Sequence, residues 1–230
     1  MKNLTAKYAL LFVVSMCLIV LSPTRCWAQE VMHECTPAIG DSYGYEDTLA
    51  ELFNMKEAHK FCYLATPAFE GEYCLSYDCE TQSLVLRKAV NNVWYAQHWY
   101  SHTYNDTLPK AKVYVTKFEL PVSSTLADSL QAMFAAIVFT ASPNVWDGGA
   151  DCTSHKFILT SITSKSASVD CPDGNSSAAV KIMNTLCDAV MLNKIDQAEG
   201  QLEEIISLTN KFRKYIVNPE KAKDYYEHCD

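Results

Sequence analysis

Cys74, Cys79, His98 and His102 follow one another in "CLSYDCETQSLVLRKAVNNVWYAQHWYSH", the ligand order of a zinc finger. Two thiolates and two imidazoles would complete a tetrahedral zinc shell, and histidines at i and i+4 share one face of a helix. The spacing argues against that chemistry. A finger places about 12 residues between its second Cys and its first His, whereas residues 80–97 here make 18. Within that interval "SLVLRKA" alternates as a strand rather than folding into the compact turn a finger needs. No metal is expected here, and no cofactor motif occurs elsewhere.

Other reactive arrangements are also missing. The chain has no Gly-x-Ser-x-Gly elbow, no phosphate-cradling glycine loop and no His-Glu-x-x-His, with seven glycines in all. Asp147, Asp151, Asp170 and Asp173 fall in two turns, but without the alternating oxygen spacing of a calcium loop. Turn aspartates more commonly satisfy backbone amides. No catalytic residue is assigned, and the balance lies toward a protein that is not an enzyme.

One stretch is unusual in composition. In "VWYAQHWYSHTY" the side chains of Trp94, Tyr95, Trp99, Tyr100 and Tyr104 crowd into twelve positions. Flat rings with polar tips stack on sugars or fill a partner's pocket, and they lose little conformational entropy on contact. These five residues are the candidate ligand-binding set. The competing reading is that they cover a sheet edge or the N-terminal helix, since large aromatics are mostly buried.

The N-terminus points to export. Lys2 and Lys7 precede an apolar run from residue 9 to 21, followed by Pro23 and a small-residue exit at Ala28. This is the layout of a secretory signal peptide, and the run is short for a bilayer span of about 20 residues. Cleavage after Ala28 leaves residues 29–230 as one domain, soluble and either secreted or periplasmic, with no further membrane insertion. It also removes three positive charges, moving the formal charge from −8 to −11. An acidic chain without a basic stripe is a poor match for nucleic acid. Eight cysteines remain: Cys35, Cys62, Cys74, Cys79, Cys152, Cys171, Cys187 and Cys229. An even number in an oxidising compartment reads as a disulfide framework whose connectivity the sequence leaves open. Cys152 and Cys171 bracket a hairpin, and Cys187 is placed to tie a helix to the sheet.

The elements that must position these residues follow from periodicity. Thr48 and Glu51 form a capping box ahead of "LAELFNMKEAHKFC", predicting a first helix there. "GEYCLSY" and "SLVLRKA" predict a hairpin with Tyr73, Leu75 and Tyr77 on one face, and "KVYVTKFEL" predicts a third strand. Residues 123–125 offer N-caps for a helix carrying Leu126, Leu130, Met133, Phe134, Ile137 and Val138. "HKFILTSI" and "SASVD" predict a second hairpin. Ser176 or Ser177 caps a helix with Val180, Met183, Cys187, Val190 and Met191 in its stripe. A last long helix carries Ile195, Leu202, Ile205, Phe212 and Ile216, and Asn218-Pro219 opens a short tail helix. Hairpins with helices that need an apolar support give an α+β fold: an antiparallel sheet with helices packed on one face, stabilised by disulfides.

The block from "KVYVTKFELPVSSTLADSLQAMFAAIVF" through "WDGGADCTSHKFIL" to "CPDGNSSAAVKIMNTLCDAV" resembles small exported proteins of Bacteroidetes that have no assigned function. It covers residues 112–190, and Cys171 stands where a serine is usual. The resemblance implies a lineage and a shared fold, with no activity and no site residues. The pattern Asp, Ser or Thr, aliphatic also resembles an O-glycosylation site of that phylum, and Thr107 is the best placed of its three occurrences. Three functions stay open: a binding or interaction module for a protein or glycan, an inhibitor or immunity-type protein blocking a basic partner, and an envelope hydrolase using His98 or His102 with a carboxylate.

Overall fold

The computed structural model describes residues 36–37, 44–58, 60–99, 112–141, 152–160, 165–172 and 174–214, the side chains of 36, 37, 57 and 97–99 excepted. Among these residues seven strands form one antiparallel sheet: β1 (Thr36–Pro37), β2 (Phe61–Thr66), β3 (Tyr73–Asp78), β4 (Ser83–Ala89), β5 (Val115–Pro121), β6 (Ser154–Leu159) and β7 (Lys165–Asp170). Their order across the sheet is β1-β7-β6-β2-β3-β4-β5. Among the described residues five α-helices accompany them: α1 (Tyr45–Leu52), α2 (Ser124–Thr140), α3 (Gly174–Met191), α4 (Ile195–Glu199) and α5 (Leu202–Arg213). The α+β class expected from the hairpins is the one observed.

The β3–β4 hairpin shows how the sequence enforces its register. Asp78 Oδ1 accepts from the amides of Glu80 and Thr81, and Gln82 takes φ 50 to complete the turn. Tyr77 then faces Leu84 and Leu75 faces Leu86. These four side chains point to the main core with Phe61 and Tyr63 of β2 and Phe157 and Leu159 of β6. Helices α2 and α3 cover that face through Leu126, Leu130, Phe134, Ile182 and Leu186, and α5 packs on those helices through Leu208 and Phe212. Ser123 caps α2 as expected, its Oγ accepting from Leu126 N at 3.1 Å. Glu199 at the end of α4 accepts from both Ser123 N and Ser123 Oγ, which ties the two helices together. A smaller cluster lies on the other face, where Leu49 and Phe53 meet Cys62, Leu64, Cys74 and Val93.

Three boundaries differ from the sequence reading. The first helix begins at Tyr45, so Thr48 sits inside it, its hydroxyl bonded to Gly44 O, and the helix ends before Phe53. Phe61 and Cys62, read as the end of that helix, open the central strand β2. The expected long C-terminal helix is two, α4 and α5, divided at Gly200 and Gln201, and Ile195 is exposed. The third helix starts at Gly174, ahead of Ser176 and Ser177. Ile216 and the tail helix lie outside the described residues, as do residues 1–28.

Candidate functional site

One end of the sheet collects the polar side chains that the core excludes. There β2 leaves at Thr66, β3 enters at Tyr73, β4 leaves at Ala89 and β6 enters at Ser154. The β2–β3 connection is pressed onto β4: a Cβ on Gly71 would lie 2.1 Å from Ala89 O, so no other residue fits without moving backbone. Ala89 N donates to Glu72 O at 2.8 Å across the same contact.

Two side chains join this loop to the aromatic stretch. Asn92 Nδ2 donates to the carbonyls of Pro67, Ala68 and Glu70, while its Oδ1 accepts from Tyr95 N. The fully buried carboxylate of Glu72 accepts from Val93 N at 2.7 Å and Trp94 N at 3.2 Å, and from the hydroxyl of Tyr45. The carboxylate is thereby set on the backbone amides that open the π-helical turn Trp94–Trp99. Trp94 is half-buried, edge-on to Tyr45 with ring centroids 5.1 Å apart. Tyr95 is 37% exposed and Phe69, at the tip of the clamped loop, is 72% exposed. Of the five aromatic candidates, Trp94 thus covers α1 and Tyr95 faces solvent. The side chain of Trp99, and the whole of Tyr100, Tyr104 and Thr107, lie outside the described residues.

On the helix side of the same sheet end, Tyr63 Oη and His155 Nδ1 are 2.7 Å apart and buried. Their rings stack, and Tyr63 packs on Tyr73, whose hydroxyl donates to Asn184 Oδ1 of α3 at 3.0 Å. Burial lowers His155 to a pKa of about 4, partly offset by Asp170, so the imidazole is neutral at pH 7. Burial likewise pushes both phenols up, and they keep their protons. A cavity of about 350 Å³ opens here between the loop and α3, bounded by Phe69, Glu70, Tyr73, Thr153, His155 and Asn184. A second, of about 170 Å³, shares Glu70, Tyr73 and Asn184 and continues past Lys88, Cys187 and Asp188. The Lys88 ammonium lies 5.9 Å from the centre of the Tyr73 ring. The sequence reading named Tyr73 only as a face residue of the hairpin, and it did not single out His155.

The chemistry this cleft offers is hydrogen bonding and stacking. An imidazole with a pKa of about 4 is a weak base at neutral pH, and the Cys187 thiol is pushed up by burial, far from a nucleophile's range. Among the described residues no group of three or more His, Cys, Asp or Glu side chains is placed to hold a metal. No family model, curated protein or solved structure matches this chain.

The cysteines divide by position. Cys152 and Cys171 form a disulfide with Cα atoms 5.3 Å apart, closing the β6–β7 hairpin beside Thr153 of the cleft. Cys187 is a buried thiol in the core rather than a crosslink from α3 to the sheet. Cys79 is exposed in the β3–β4 turn, and Cys62 and Cys74 are buried side by side. Cys35 and Cys229 lie outside the described residues, with His102, Asp147, Asp151 and Asp173. Among the described residues no helix is long and apolar enough to cross a membrane.

Proposed function

We propose that the chain is an exported, non-catalytic binding module that takes a glycan or protein ligand at this end of the sheet. The observation that carries the reading is the Asn92 clamp. By holding three carbonyls of the β2–β3 loop and one amide of the aromatic turn, it joins the loop whose exposed Phe69 borders the cleft to the turn that carries exposed Tyr95. Pre-ordered aromatic groups lose little entropy on contact, and polar groups below them supply orientation. The likeness of residues 112–190 to exported Bacteroidetes proteins belongs to the same proposal, with residues 1–28 removed as a signal peptide.

The test is a glycan array probed with the mature chain and with Phe69→Ala/Tyr95→Ala. Binding by the wild type that falls at least tenfold in the variant supports the reading. Binding that survives the double substitution refutes this placement. An array with no bound glycan restricts the proposal to a protein ligand.

A further inference from the structure

Cys62 on β2 and Cys74 on β3 belong to the two strands at the centre of the sheet. The register sets Leu64 opposite Cys74 and Cys62 opposite Ser76, so the cysteines are diagonal neighbours on one face. That face lies beneath Leu49 of α1 and Phe53 just after it, and beside Val93 and Val113. The two residues are 0% and 1% exposed, and their Sγ atoms stand 2.9 Å apart. Disulfide sulfurs are about 2.05 Å apart. Closure by roughly 0.9 Å therefore separates this contact from a bond.

We infer that Cys62 and Cys74 form a second disulfide, stapling the two central strands and closing a ring around the loop that carries Phe69. The assignment is independent of what the cleft binds. The step is thiol–disulfide exchange with a low-molecular-weight disulfide. One cysteine thiolate attacks a donor sulfur and expels one donor thiolate, and the second cysteine then attacks the mixed disulfide and expels the other. Two protein thiols lose two electrons and two protons, and the donor is reduced to two thiols. In the folded protein the Cys74 side chain and burial hold the Cys62 proton on well above the ordinary thiol range. The exchange accordingly belongs to folding, before α1 covers the pair.

The test uses the full chain, reduced and unfolded, then refolded in a buffer of glutathione and glutathione disulfide. It is alkylated under denaturing conditions without reductant, digested and mapped by mass. The expected result is that the peptides holding Cys62 and Cys74 are recovered joined and unalkylated, and part on adding dithiothreitol. Recovery of either cysteine as an alkylated thiol, or joined to a different cysteine, overturns the assignment. A second measurement compares the Tm of the oxidised protein with and without dithiothreitol, in the wild type and in Cys62→Ala/Cys74→Ala. Loss of a ring of this size lowers Tm by about 6–12 °C in a chain of this length. The reductant-induced fall should be larger by that amount in the wild type, and equal falls overturn the inference.

Discussion

Lowering the pH from 7 to 5 should destabilise the protein through one side chain, His155. Its folded-state pKa is about 4 against an ordinary value of 6.5, because burial penalises the imidazolium. The unfolded chain therefore binds the proton more readily. Stability from the neutral imidazole is fully present above 6.5 and is lost as pH falls toward 4. At about 1.4 kcal/mol per pH unit, the two pKa values give a loss of about 2 kcal/mol between pH 7 and pH 5, and about 3 kcal/mol by pH 4. The chain has six histidines, so the effect is read as the difference between the wild type and a variant that lacks His155 alone. The assay is urea unfolding at pH 7 and pH 5 of the wild type and of His155→Asn, whose amide can still meet Tyr63 Oη but does not titrate. The wild type should lose about 2 kcal/mol more than the variant over that interval. Equal losses would refute the claim that His155 is buried and neutral beside the cleft.

Glu72→Ala removes the acceptor of two backbone amides and the Tyr45 hydroxyl in a buried site. It should cost about 3–5 kcal/mol in urea unfolding and alter the fluorescence of Trp94 in the folded baseline. Gly71→Ala drives a Cβ to 2.1 Å from Ala89 O, and the resulting backbone shift should cost about 1–3 kcal/mol, seen as a lower Tm, with greater protease sensitivity at the β2–β3 loop. Ser123→Ala deletes the cap of α2 and one contact to Glu199. A loss of about 1 kcal/mol is expected by chemical denaturation.

The fold was legible where turn and capping residues bound an element. The polar turn from Asp78 to Gln82 set the β3–β4 hairpin although both strands are buried on both faces, and Ser123 ahead of the Leu126 to Ile137 stripe set α2. The central strand had no such boundary. Phe61 to Ala65 is buried on both faces, so "FCYLA" carries no period-two signal, and the amphipathic run before it drew Phe61 and Cys62 into the predicted helix. The cleft was hidden differently. His155, Tyr73 and Asn184 are far apart in sequence and form no spacing motif. One sign was present: in "SHKFIL" the histidine shares parity with Phe157 and Leu159, which places an ionisable ring on the core face of a strand.

Two polar networks now stand back to back at this sheet end, and their surroundings separate their roles. Glu72 is enclosed on the α1 side, and its carboxylate takes three donors from the aromatic turn and Tyr45. Holding that turn explains why a charge is buried there. The chain Tyr63–His155 with Tyr73–Asn184 also lies among apolar side chains, yet it holds no loop in place. Apolar residues of equal size would join β2, β6 and α3 at least as firmly, since an imidazole with a pKa of about 4 gains nothing from charge at pH 7. What distinguishes it is that Tyr73, His155 and Asn184 border open cavities, beneath an aromatic loop fixed by Asn92. Under the proposed function, Tyr73, His155 and Asn184 are the polar groups bordering the cleft that a ligand would meet, while Glu72 holds the neighbouring turn.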